Sequence, residues 1–236
     1  MRRTRQLIGA MTATTFAIVI LAAPASADDG VLAFISGIPG KAIDVCIDGR
    51  EVISELRYGQ AEAWAIEPGP TTVKVAISAR GRCQGRTLQQ DVGTVLPGLD
   101  STWAFAARAP GVLWWDNATL GVLPAVPTLG GAPFVLRNAS DLRGGVVWSR
   151  FLTFPVLMAT ENPTLNKGQE VPFTDWPGNA LFAHVVSRPG RFEPLFGPMY
   201  DTLAPDTRTE YYVVGTTSRN ARLVRLVRPV VLPSVM

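Results

Sequence analysis

The sequence predicts an all-β protein, two tandem β-sandwich modules behind a cleaved signal peptide. Three observations carry that expectation. After the first 27 residues, apolar side chains alternate with polar ones or gather in short runs, and no long stretch keeps a helical period. The chain of 236 residues holds 22 Gly and 19 Pro against 17% charged residues, the balance of a turn-rich β protein. One part of the chain also repeats another.

The leader comes first. Met1-Arg2-Arg3-Thr4-Arg5 is a basic start, the stretch from Leu7 to Ala23 is uncharged and mostly apolar, and Pro24-Ala25-Ser26-Ala27 ends in small residues before Asp28 and Asp29. That order is a secretory signal peptide over residues 1–27, with the mature chain starting at Asp28. The apolar stretch is short for a membrane span, and Thr and Gly dilute it. Arg2-Arg3 does not extend into a full twin-arginine signal. The leader's arginines account for the whole formal charge of +3. The mature chain is therefore balanced, and the pI near 9.1 gives no case for a nucleic-acid partner.

Strands are expected over 31–36, 42–48, 61–66, 72–78 and 102–107, then over 134–138, 145–149, 180–187 and 210–215. Asp48-Gly49 is a hairpin-turn signal between Ile47 and Val52. The repeat sets Tyr58-Gly59-Gln60 against Lys167-Gly168-Gln169. At the same spacing Pro68-Gly69 falls on Pro177-Gly178, Gly81 on Gly190, and the strand Val73 to Ile77 on Phe182 to Val186. After a slip of two residues, Leu96 and Thr102 fall on Leu203 and Thr209. The expected modules are 28–109 and 132–236, joined by a Pro- and Gly-rich stretch, 110–131, that carries Trp114-Trp115.

The run Ser36-Gly37-Ile38-Pro39-Gly40-Lys41-Ala42-Ile43-Asp44-Val45-Cys46-Ile47-Asp48-Gly49 resembles the opening strand and turn of the domain of unknown function 4397 family. Leu56 to Gln60, Ile66 to Val75 and Leu99 to Ala106 resemble that family's later steps, in order. A second opening is similar at Phe134-Val135-Leu136-Arg137-Asn138-Ala139-Ser140. The resemblance implies exported, immunoglobulin-like β-sandwich modules with no assigned reaction. The second copy departs from the pattern: Gly144-Gly145-Val146-Val147-Trp148 stands where the Asp-bearing strand belongs, so a ligand role shared by Asp44 and Asp48 has no counterpart there.

Few residues offer chemistry. Cys46 and Cys83 are the only cysteines, and in an exported chain an even pair is expected as a disulfide. Strand phase puts Ile43, Val45 and Ile47 on one face and Asp44, Cys46 and Asp48 on the other. Cys46 then points away from the core, and the bond ties its strand to a neighbouring surface segment. Two carboxylates on one face can help hold calcium, but without a D-x-[DN]-x-[DN]-G loop a solvated outer face is the favoured reading. His184, the only histidine, falls on Val75 in the repeat and reads as an interior residue. Ser187 lies on the other face, and no G-x-S-x-G elbow is present. Trp114 and Trp115 are the other ligand-contact candidates, as sugar-stacking or anchoring rings, with packing between modules as the plainer alternative.

Arg219, Arg222, Arg225 and Arg228 recur every third residue, a spacing that splits them between the two faces of a strand. They read first as protection of an edge strand. Asn117-Ala118-Thr119 and Asn138-Ala139-Ser140 fit the glycosylation triplet, the second inside an expected strand. No L-P-x-T-G motif or apolar tail stands at the C-terminus. The expectation is a secreted chain, or one held non-covalently at the cell surface. It has no cofactor and no transmembrane span once mature, and its partner is an envelope polymer, a glycan or a protein. The first expectation for its role is a non-enzymatic binding or structural module of the cell envelope or extracellular space; a carbohydrate-binding or adhesion module using Trp114 and Trp115 is the second, and a hydrolase with an unrecognised site the third.

Overall fold

The fold comes from a computed structural model that describes residues 17–20, 29–79, 83–97, 100–106, 112–115, 132–151, 159–161, 164–175, 180–188, 191–200 and 207–229. Among the described residues it is all-β, with no helix. In chain order the strands are β1 (Ala17–Ile20), β2 (Gly30–Gly37), β3 (Ala42–Ile47), β4 (Arg50–Arg57), β5 (Ala61–Ile66), β6 (Gly69–Ile77), β7 (Thr87–Val95), β8 (Asp100–Ala106) and β9 (Val112–Trp115). They continue with β10 (Ala132–Asn138), β11 (Val146–Phe151), β12 (Ala159–Glu161), β13 (Glu170–Asp175), β14 (Ala180–Arg188), β15 (Arg191–Tyr200), β16 (Thr207–Val214) and β17 (Arg222–Pro229).

Four sheets result, in the orders β4-β3-β6-β7, β5-β2-β8-β9, β1-β17-β16-β10-β13 and β12-β11-β14-β15. Three apolar clusters lie between them in turn. Leu32, Phe34, Ile43, Val45, Ile53, Leu56, Val75, Trp103 and Phe105 fill the space between the first two sheets. Phe34 meets Trp103 edge to face at 5.9 Å, an arrangement aromatic quadrupoles favour. Ala33, Ile35 and Ala104 turn the other way, toward Tyr212, Val214, Val224 and Leu226 of the third sheet. Leu136, Val146, Phe196, Tyr211, Val213 and Leu223 then join the third sheet to the fourth. Period-two alternation explains the split: the two middle sheets present apolar side chains on both faces, so β2 is almost wholly buried and β16 is buried from Thr209 to Val214. Close approach of these sheets requires Gly37, where a Cβ would stand 2.5 Å from the Phe105 carbonyl oxygen and 3.2 Å from Val214.

The strand order of the first half recurs in the second. β2 pairs antiparallel with β5 and parallel with β8; β10 pairs antiparallel with β13 and parallel with β16. β3 and β11 likewise sit beside β6 and β14. The register corrects one expected match. Ser36 lies beside Phe105 and Asn138 beside Val213, so Phe105 answers Val213 and Thr102 answers Glu210, not Thr209. A slip of one residue exchanges faces, which is why the sequence match alone was ambiguous there.

Two further expectations change. β9 falls inside the stretch expected as a join: its backbone pairs with β8 and completes the second sheet, with Trp114 beside Thr102 and Trp115 beside Ser101. In the full chain β17 is flanked by β16 on one side and by β1 on the other, so the edge expected of it exists only in a chain without residues 1–27. Its arginines do divide between faces: Arg222 alternates with Val224 and Leu226 of the middle cluster, and Arg225 with Leu223 of the next.

Candidate functional site

The outer face of β3 is not solvated, contrary to the expectation for Asp44. Asp44 is 0% exposed. On the same face Cys46, and Ala76 that pairs with Asp44, form a small buried cluster with Cys83 of the segment before β7. Gly85 lets that segment lie on the backbone, since a Cβ there would fall 1.8 Å from the Ile77 carbonyl oxygen. The disulfide Cys46–Cys83 closes it, with Cα atoms 6.2 Å apart. It lies outside the apolar core, as the phase of β3 requires.

Beside this cluster, Asp44 works on the backbone of β4. The β3–β4 register shifts between Ile43/Leu56 and Val45/Ile53, and Glu55 in that irregularity has a positive φ of 52°. The Glu55 amide donates to Asp44 Oδ1 at 3.0 Å, which fixes the bulge. Asp44 Oδ2 is buried without a hydrogen-bond partner. Asp48 has a separate task. It is exposed, has φ 49° ahead of Gly49 at 78°, and accepts the Thr72 amide at Oδ1 over 2.7 Å. Those angles are the hairpin turn that Asp-Gly favours. The two carboxylates sit four residues apart, about 13 Å along a strand, and converge on nothing in common.

Sequence reasoning missed a second cluster. Arg137 is 1% exposed, on the face of β10 that meets the middle cluster. Its Nε donates to Glu170 Oε2 at 2.7 Å and its Nη1 to Glu210 Oε2 at 3.0 Å. Nη1 also donates to the Tyr212 hydroxyl, which in turn donates to Glu210 Oε2 at 2.5 Å. The guanidinium carbon lies 5.3 Å from the centroid of the Tyr212 ring. A charge buried this deeply requires pairing. The available signal is a lone Arg directly after the apolar run Phe134 to Leu136, with Glu210 and Tyr212 at strand spacing in the later strand.

The third feature is the repeated turn. The Arg57 amide donates to Gln60 Oε1 at 2.9 Å, and the Asn166 amide to Gln169 Oε1 at 2.7 Å. The Gly59 amide donates to the Ser36 carbonyl at 2.7 Å, and the Gly168 amide to that of Asn138 at 2.8 Å. Both glycines have positive φ, 78° and 82°. The residue before each glycine differs in use. Lys167 Nζ pairs with Asp141 at 2.7 Å within the second half. Tyr58 crosses to the other half, where its hydroxyl donates to the Asn220 carbonyl and lies 3.5 Å from that of Val214. Burial pushes the Tyr58 hydroxyl up to about 12, with Arg222 beside it acting in the opposite direction.

Asn138 is fully buried. Its side-chain Nδ2 donates to the Leu165 carbonyl at 2.8 Å and its Oδ1 accepts from the Ser140 backbone amide at 2.9 Å, so this triplet is closed to modification in the folded chain. The backbone of His184 pairs with Val147 and Pro194. The side chains of His184, Trp114 and Trp115, and the whole of Asn117, lie outside the described residues. Trp64 on β5 is an exposed aromatic, at 39%. No helix among the described residues is long and apolar enough to cross a membrane. No family model matches the chain, and no curated protein does.

Proposed function

We propose that this chain is an exported, non-enzymatic binding or structural protein of the cell envelope or extracellular space, built from two tandem immunoglobulin-like modules. The observation that carries the reading is the Cys46–Cys83 disulfide, in a chain whose first residues have the order of an export leader. The recurring strand order and the matched turns at Gly59 and Gly168 support the tandem arrangement. The reactive side chains in view are occupied with structure. Asp44 holds a bulge, the cysteines hold a loop, and Arg137, Glu210 and Tyr212 hold each other.

The test is the intact mass of the protein recovered from the medium and the cell surface of an expressing host. The expected product begins at Asp28 and lacks two thiol hydrogens. A reproducible hydrolytic activity that disappears in His184→Ala overturns the non-enzymatic part.

A further inference from the structure

The second sheet ends at β9, and β17 holds the matching place in the third sheet, antiparallel to β16. The third sheet then adds one strand with no counterpart, β1. It runs parallel to β17, with Ala17 beside Val224, Ile18 beside Arg225, Val19 beside Leu226 and Ile20 beside Val227. β1 also lies against β5 of the facing sheet. There β5 offers alternate alanines on one face: Ala61, buried, Ala63, half-buried, and Ala65, exposed. Side chains this small leave depth above them for one more strand. Both faces of β17 are backed by apolar clusters, through Val224 and Leu226 on one side and Leu223 on the other.

We propose that the β17 edge, above the alanine face of β5, is an acceptor site for an added strand. The occupant in the exported protein is an extended, uncharged segment rich in β-branched residues, donated by another chain and running parallel to β17 in the place of Ala17–Ile20. The site rests on the reading above in one respect, that residues 1–27 are removed. Their removal leaves the backbone N–H and C=O groups along the β17 edge unpaired, and an incoming strand satisfies them while its side chains meet the apolar faces.

The experiment uses the full chain with a specific protease site inserted between Ala27 and Asp28. After cutting, a labelled peptide of residues 14–23 is added. The expected result is saturable binding, with slowed hydrogen exchange at Val224–Val227. Consecutive residues of a strand direct their N–H groups to opposite sides, so one of the peptides Ile18→Pro and Val19→Pro loses the bond to β17 and binds at least about tenfold more weakly. A cut chain that takes no peptide, with exchange at 224–227 unchanged, overturns the acceptor site alone. An exported chain that keeps residues 1–27, read by intact mass, overturns the leader and with it the open edge.

Discussion

Arg137 holds together a buried polar cluster in the second half. Its cation faces Glu210 and Tyr212, both fully buried, and the partly exposed Glu170. Arg137→Met leaves Glu210 buried without its guanidinium, and the expected loss is about 3–5 kcal/mol in urea unfolding. Arg137→Met with Glu210→Leu removes both charges and recovers much of that loss; a double variant no better than the single one contradicts the pairing. Tyr58 makes a prediction in pH. Its folded value, about 12, lies above the ordinary 10.0. The folded state therefore holds the proton more tightly. The contribution is whole below about pH 10 and is lost as pH rises toward about 12. Over that window the urea midpoint of the native chain falls more steeply than that of Tyr58→Phe. Parallel slopes contradict the buried hydroxyl.

At the scale of elements, the β6–β7 segment is held by one covalent bond. The disulfide closes a loop of 37 positions, worth about 4 kcal/mol by the chain-entropy account. Reduction is expected to lower stability by about that amount and to raise hydrogen exchange most around Cys83 and Asp44, which gain a local opening, with a smaller rise at Leu136 and Val213 that follows the global loss. Uniform loss of protection speaks against a local role. The strand pattern was legible wherever one face is core: β2, β3, β6, β8, β10 and β16 carry the alternation or the apolar runs that fill the clusters. Where few side chains reach the core, or a bulge breaks the alternation, the signal fails. β7, TLQQDVGTV, is exposed along most of its length and reads as a loop. β4, REVISELR, has its alternation broken by the bulge at Glu55, so Ile53 and Leu56 both turn inward at odd spacing. The burial of Asp44 was hidden for a related reason. The cluster on that face brings in Cys83, distant in sequence, and no local pattern encodes what packs on a strand's outer face.

The whole molecule is joined through its middle. Ala33, Ile35 and Ala104 of one half bury themselves against Tyr212, Val214, Val224 and Leu226 of the other, and Tyr58 fastens onto the β16–β17 turn. In modules linked only by a flexible join, each half keeps its own core and melts alone. Here the two inner sheets have apolar residues on both faces, so either half alone would expose a sheet that the chain otherwise keeps dry. The expected calorimetric trace is one transition, with van't Hoff and calorimetric enthalpies equal. Ile35→Asp, placed in the middle cluster and away from both outer cores, should destabilise the two halves together. Followed by hydrogen exchange, it should raise opening at Phe105 and at Leu223 by the same factor. Two resolved transitions, or exchange that rises in the first half only, would mean that the halves are energetically separate and that the middle cluster is contact without coupling.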